Sequence, residues 1–94
     1  MSNTVNLVFN NTITKLAGFP YGENIFETQV KGKIDLQQPC KIIFPNNIEG
    51  IASSFVQGFF AEIINSIGFQ GIEDKIKIET SSKELTNDIW NKLL

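Results

Sequence analysis

Two adjacent serines, Ser53 and Ser54, are the side chains whose type and position offer chemistry in this sequence. They precede a long apolar segment with the spacing of a helix, and Ser54 with Gln57 has the S-x-x-Q spacing of a capping box. A helix N-terminus presents unpaired backbone N–H groups and the positive end of the helix dipole, so it also accommodates a serine phosphate. The pattern therefore predicts helix capping as the simpler role and phosphorylation as the functional one.

Other reactive side chains are scarce. The chain has no histidine and one cysteine, so it lacks the residues for Ser–His and Cys–His nucleophilic pairs, an internal disulfide or a soft-metal cluster. We expect Cys40 to be a small packing residue at the start of a strand. The carboxylates of Glu49, Glu62, Glu73 and Asp74 show no spacing that would bring two of them together, so we expect solvated charges. The sequence thus predicts neither an enzyme nor a bound cofactor or metal.

Length and charge narrow the class of protein further. The 94 residues support one domain, spanning residues 1–94. The net charge of -2 leaves no basic stripe for a phosphate backbone, which argues against nucleic acid as a partner. No apolar run is long enough to span a bilayer, and the N-terminus lacks the basic start and apolar core of a signal peptide. We therefore expect a soluble cytoplasmic protein that contacts no membrane.

The N-terminal segment, residues 1–17, is predicted to form a β-hairpin. Val5, Leu7 and Phe9 lie on one side of an alternating pattern that is typical of a half-buried strand. The pair of asparagines that follows tolerates a tight turn, after which residues 12–16 return as a second strand.

A break in regular structure is predicted at residues 17–22, which hold a proline and two glycines. Beyond it, Phe26, Val30 and Ile34 recur every four positions and favour an amphipathic helix. Gly32 and several β-branched residues also allow a pair of strands in this segment, so both interpretations stay open.

The middle of the chain combines a buried strand with a strongly apolar helix. A continuous apolar run over residues 41–44, stopped by a proline, predicts an interior strand. The helix is expected over residues 54–68, where Phe55, Phe59 and Phe60 form part of a wide apolar face. We expect these aromatic side chains to belong to the core, because a helix that covers a sheet buries such residues.

The C-terminal segment is predicted to hold one more strand and one more helix. Residues 69–75 are expected to be a connection, and Ile76 and Ile78 the inward side of a strand with one wet side. A second capping box over residues 81–84 begins a final helix with an apolar stripe of Leu85, Ile89 and Leu93. The predicted order of elements is ββαβαβα.

Several short motifs, taken in chain order, resemble a known family. They are Pro20-Tyr21-Gly22-Glu23 with Phe26 and Glu27, an apolar strand ending near Glu49, Ser53-Ser54-Phe55, an aromatic helix, a Lys-Ile-Lys-Ile strand and Asp88-Ile89-Trp90. Over residues 18–94 this succession resembles the bacterial STAS-like domains of unknown function, distant relatives of the anti-sigma-factor antagonist and sulfate-transporter domains. The resemblance implies a single α/β domain with a mixed sheet of about four strands and helices packed on one face.

The resemblance also implies a role in protein–protein regulation. In anti-sigma-factor antagonists an Asp-Ser-Ser/Thr-Gly sequence opens the corresponding helix, and a partner kinase that also inhibits a sigma factor phosphorylates the first serine. Ser53 matches that serine, while Ala52 and Phe55 stand where those relatives have Asp and Gly. We therefore regard Ser53 first as a contact residue and second as a phosphorylation site.

These observations lead to the hypothesis of a small regulatory module that binds another protein, such as a kinase-like ATPase or a regulator. The expected contact or modification residues are Glu49, Ser53, Ser54 and Gln57, with Phe19 and Tyr21 as further loop contacts. The chain is expected to be a monomer or a weak homodimer, with Trp90 and Leu94 as the dimer contacts. The alternative is a small-ligand or nucleotide-binding domain that uses the same helix N-terminus and residues 17–22 as a polar cleft.

Overall fold

A computed structural model describes residues 3–94 as five strands and three helices. The strands are β1 (Thr4–Asn6), β2 (Lys15–Leu16), β3 (Cys40–Ile43), β4 (Gly50–Ile51) and β5 (Ile76–Glu79). The helices are α1 (Phe19–Ile25), which a π-helical segment (Phe26–Val30) continues, α2 (Ser53–Lys75) and α3 (Lys83–Leu93). The order contains one short strand, β4, that the sequence pattern did not predict. Met1 and Ser2, which belong to the predicted domain and hairpin, lie outside the described residues.

The strands form two parallel sheets. β1, β3 and β5 make a three-stranded sheet in that order, with Val5, Ile42 and Ile78 side by side in register. β2 and β4 form a separate two-stranded ribbon, in which Leu16 pairs with Ile51. The α/β class is confirmed, but one mixed sheet of about four strands was the wrong expectation.

The predicted N-terminal hairpin is wrong, because neither strand pairs with the other. The turn after β1 does form, since the N–H groups of Thr12 and Ile13 both bond to Asn10, each at 2.9 Å. It leads the chain to a different sheet instead of folding it back on β1. An isolated hairpin buries little apolar surface, whereas pairing with β3 places Val5 and Leu7 in the core.

The predicted break at residues 17–22 is also wrong, because α1 begins inside it at Phe19. Pro20 is compatible with the first turn, where a backbone N–H has no intrahelical partner. Gly18, with φ of 103°, turns the chain into the helix. For the segment after the predicted break, the sequence allows both a helix and a pair of strands. The structure is helical as far as Val30, and Gly32 lies in the turn that follows.

Helix α2 is longer than expected, so residues 69–75 are helical and not a connection. Gly68 interrupts the helix with φ of 71° and ψ of 174°, a backbone conformation that glycine adopts readily. The helix then resumes to Lys75 and brings Ile72 into the core, where its side chain is fully buried. The predicted end at Gly68 is therefore confirmed as a break between two helical stretches, while the predicted connection over residues 69–75 is wrong.

The final helix is confirmed, but its capping residue differs from the predicted one. Ser82, not Ser81, is the N-cap, and its Oγ accepts a hydrogen bond of 3.1 Å from the N–H of Leu85. The predicted apolar stripe is buried, and Trp90 packs against the core, while Leu94 is 60% exposed. None of the helices in residues 3–94 combines the length and apolar character needed to cross a bilayer.

The core lies between the helices and one face of the three-stranded sheet. Phe55, Phe59 and Phe60 are each at most 1% exposed, as predicted. Phe59 is at the centre of the aromatic cluster, with ring centroids 5.9 Å from Phe26 and 4.9 Å from Phe60. The Phe26 contact packs the π-helical continuation of α1 against α2.

Candidate functional site

The start of α2 lacks the capping box that the sequence predicted. Ala52 is the N-cap residue, its backbone is extended, and no side chain accepts a hydrogen bond from the first turn. The first helical bond is donated by the N–H of Val56 to the carbonyl oxygen of Ala52 at 3.2 Å. The three N–H groups before Val56, from Ser53 to Phe55, therefore have no intrahelical acceptor.

Ser54 links two helices instead of capping its own. Its Oγ accepts a hydrogen bond of 2.9 Å from the N–H of Gly18, the residue that precedes α1. The Ser54 side chain is half-buried, so this bond is partly shielded from water. The capping-box prediction was wrong because the Ser54 hydroxyl is directed toward α1 and away from the backbone of α2.

Helices α1 and α2 are in direct backbone contact next to this bond. A β-carbon added to Gly58 would collide with the carbonyl oxygen of Phe19 and lie 2.9 Å from its carbonyl carbon. A β-carbon added to Gly22 would collide with the carbonyl oxygen of Phe55. The segment expected to line a polar cleft is therefore the first turn of α1, closely packed on α2.

Ser53 and Gln57 lie on the outer side of this junction. Both side chains are exposed, and their spacing of four places them one above the other on α2. This row is adjacent to the row of Ser54 and Gly58, which faces α1. No hydrogen bond joins the Ser53 hydroxyl to another group within residues 3–94, so that hydroxyl is accessible from solvent.

The two aromatic residues predicted as loop contacts have different environments. Tyr21 is half-buried and makes edge-on ring contacts with Phe9 and Phe55, at centroid distances of 6.4 and 5.5 Å. Phe19 is 41% exposed, although its backbone lies against Gly58. Phe19 thus stays at the surface at the start of α1, next to Gly58, whereas Tyr21 packs against the core.

Glu49 lies apart from the serines, on the side of the molecule that faces α3. Its N–H donates a hydrogen bond of 2.6 Å to the carbonyl oxygen of Thr14, just before the β2–β4 ribbon. Its exposed side chain lines a shallow groove together with Glu84 and Asp88. We therefore define the α2 N-terminal surface as Phe19, Ser53 and Gln57, without Glu49.

A lysine that no sequence pattern singled out lies behind this surface. The Nζ of Lys92 donates to the carbonyl oxygen of Ile51 and to Oδ2 of Asp88, both at 2.7 Å. The ammonium group is thereby fixed to the strand that leads directly into α2, two residues before Ser53. The sequence offered only a basic residue in the last turn of α3, which ordinarily indicates an interaction with the helix dipole.

Cys40 behaves as the packing residue that was predicted. Its side chain is 5% exposed at the start of β3. Burial raises the pKa of the Cys40 thiol and Asp35 adds to the rise, while Lys75 lowers it in part. The thiol is therefore held in its protonated, weakly nucleophilic form.

Comparison with known proteins identifies the family. The model of the STAS-like domain of unknown function matches residues 21–86, well over half of the chain. The chain belongs to this family. The matched part of this STAS-like domain contains Ser53, Ser54 and Gln57, whereas Phe19 precedes it. No curated protein and no solved structure matches the sequence.

Proposed function

We propose that this STAS-like domain is a regulatory module that binds another protein through the α2 N-terminal surface and carries out no catalysis of its own. The observation that carries the proposal is the bond from Gly18 to Ser54, which fixes the start of α1, with the exposed Phe19, against the first turn of α2. A partner would therefore meet an aromatic side chain and two polar ones carried on a backbone that is held in place. Rigid presentation lowers the entropy lost on binding.

The composition of this surface is consistent with a protein contact. Phe19 supplies an exposed aromatic group next to polar neighbours, the combination found where a small number of residues dominate binding. The backbone contact between α1 and α2 leaves little space for a small molecule between the helices. A surface on such a firmly packed backbone favours a folded partner, for which we suggest a kinase-like ATPase or another regulator.

Phosphorylation of Ser53 is the regulatory step that we propose for this surface. Modification of Ser53 breaks no hydrogen bond in residues 3–94, whereas modification of Ser54 would remove the acceptor for Gly18. A phosphate at Ser53 would add roughly two negative charges beside unpaired N–H groups at the positive end of α2. The folded state would tolerate the group, and an acidic partner would be repelled.

The test is a quantitative pull-down from the source cell that compares two double variants. Ser53→Glu with Gln57→Lys alters the proposed surface. Ser66→Glu with Gln70→Lys makes the same exchange at two exposed residues of α2, one on each side of the break at Gly68. We expect a protein that wild type and the Ser66/Gln70 variant retain and the Ser53/Gln57 variant loses. Equal retention by all three forms would contradict the proposal.

The phosphorylation step has its own test. Intact mass measurement of the protein purified from the source cell should show a fraction that carries one phosphate group. Ser53→Ala should abolish that fraction, and Ser54→Ala should leave it in place. A phosphate that persists in Ser53→Ala would refute the assignment of the site while leaving the binding surface open to its separate test.

A further inference from the structure

The two edges of the three-stranded sheet differ in how their backbone groups are paired. At the β1 edge, the N–H of Val8 donates to Oε1 of Gln29 at 2.7 Å, and Nε2 of Gln29 donates back to the Val8 carbonyl oxygen at 2.8 Å. One side-chain amide thus supplies both bonds that a neighbouring strand would supply. The β1 edge is closed at Val8.

β5 is the other edge strand of this sheet, and no further strand of residues 3–94 lies beside it. Within residues 3–94, β3 is the one strand that pairs with β5. The N–H of Phe44 donates to the carbonyl oxygen of Glu79 at 2.8 Å, so the backbone groups of Glu79 face β3. Because these groups alternate along a strand, the N–H and C=O of Ile78 face away from β3. A shallow groove of about 550 Å³, lined by residues 77–83 with Thr86 and Asn87, borders β5.

The side chains of β5 form a self-complementary sequence around Ile78. Ile76 and Ile78 are buried in the core, so Lys77 and Glu79 lie on the opposite, open face of the sheet. The Lys77 side chain is exposed. The Glu79 side chain is 41% exposed, and its Oε1 forms an ion pair of 3.3 Å with Nζ of Lys41, which leaves its other oxygen available. The positive Lys77 and the negative Glu79 therefore lie one residue to either side of Ile78, whose backbone groups face away from β3.

From this arrangement we infer that β5 is a self-association edge, at which a second copy of this chain pairs antiparallel with β5 about a two-fold axis at Ile78. In this register the two Ile78 residues exchange both backbone hydrogen bonds. Lys77 of each copy then lies directly opposite Glu79 of the other. These are non-hydrogen-bonded pairs, in which the two Cα atoms are closer together and the side chains interact well. The two sheets join into one sheet of six strands.

Neighbouring symmetric registers are excluded by charge and by existing hydrogen bonds. A two-fold axis at Lys77 or at Glu79 would place two like charges directly opposite each other, which is destabilising. An axis at Ile76 requires its N–H, which already donates to the carbonyl oxygen of Ile72 at the end of α2. The axis at Ile78 is compatible with both constraints.

The association should be weak, because β5 has four residues and contributes a small contact area. The association does not involve the α2 N-terminal surface, so both surfaces can be occupied together.

The first test is sedimentation equilibrium over a wide range of protein concentration. Wild type should shift from one chain to two as the concentration rises, and a single chain at every concentration would overturn the inference.

Charge reversal tests the register. Lys77→Glu places a second carboxylate opposite Glu79, and Glu79→Lys places a second ammonium group opposite Lys77, so each variant alone should self-associate at least about tenfold more weakly than wild type. An equimolar mixture of the two variants restores both opposite-charge pairs and should form the two-chain species again. Thermal unfolding of each variant shows whether the fold is retained. Failure of the mixture to associate would refute this register.

Amide hydrogen exchange measured by NMR gives a residue-specific readout that needs no substitution. Protection of the Ile78 N–H should increase with protein concentration, because pairing removes it from water. The Glu79 N–H faces β3 and should be protected to the same extent at every concentration. Concentration-dependent protection at Trp90 and Leu94 without any at Ile78 would place the contact on α3 and refute the inference.

Discussion

Gly22 of α1 lies directly against Gly58 of α2, so that a β-carbon on Gly22 would come within 3.2 Å of the carbonyl carbon of Gly58 and 2.7 Å of the Phe59 nitrogen. Glycine in a helix ordinarily weakens it by about 1 kcal/mol relative to alanine. The close approach explains why both helices nevertheless have a glycine here, because any side chain would force the helices apart. This junction holds the backbone of Phe19 against the start of α2, where Ser53 and Gln57 are exposed.

Substitution of either glycine in the junction should destabilise the protein. Gly58→Ala must displace the backbone of Phe19, and Gly22→Ala must displace that of Phe55. We expect each to lower the free energy of unfolding by about 2 kcal/mol or more, despite the better helix propensity of alanine. For a domain of this size, such a loss lowers Tm by roughly 10 °C or more.

Gly50→Ala is the matched control for that measurement. A β-carbon at Gly50 meets a flexible part of Lys15 at 3.6 Å, an ordinary contact, and the backbone there is not left-handed. Its Tm should stay close to that of wild type. Equal losses at all three positions would contradict a specific role for the helix junction.

The two serines should differ in their contribution to stability. Ser54→Ala leaves the partly buried N–H of Gly18 without an acceptor, which should cost about 1 kcal/mol in chemical denaturation. Ser53→Ala removes an exposed hydroxyl without a partner and should change the free energy of unfolding by less than about 0.5 kcal/mol. Exchange of the Gly18 N–H should accelerate in Ser54→Ala alone. The reverse order of effects would mean that Ser53 is the structural residue.

The thiol of Cys40 should make stability depend on pH. Because burial raises its pKa in the folded state, the unfolded chain ionises first as the pH rises. The stabilisation is fully present below the pKa of the unfolded chain, about 8.5 for a cysteine, and is lost as the pH rises above it toward the folded value. The difference in unfolding free energy between wild type and Cys40→Ala should therefore become smaller across this range. A constant difference would contradict the raised pKa.

The sequence predicted correctly those helices and strands that are specified by residues close together in the chain. Alternation identified β5, and four-residue spacing identified the buried stripe of α3. Aromatic side chains on one face of α2 were correctly expected in the core. Each of these depends on residues a few positions apart, whose shared face is determined by helix or strand geometry alone.

The remaining errors arose where contacts between distant residues determine the structure. β1 had two plausible partners, and only the assembled core selects β3 over a local hairpin. Pro20 is compatible with both a loop and the first turn of a helix, so its type could not distinguish them. The hydroxyl of Ser54 had the spacing of a cap, yet Gly18, distant in sequence, provides its donor. No spacing signal in the sequence links Ser54 to Gly18.

The proposed binding surface can be tested most directly by site-specific photocrosslinking in the source cell. A photoreactive amino acid at Gln57 lies on the proposed surface, and the same amino acid at Gln70 lies on an exposed part of α2 away from it. We predict that position 57 crosslinks to one partner protein, that position 70 does not, and that Ser53→Glu suppresses the adduct. Equal crosslinking at both positions, or at position 70 alone, would contradict the assignment of the α2 N-terminal surface.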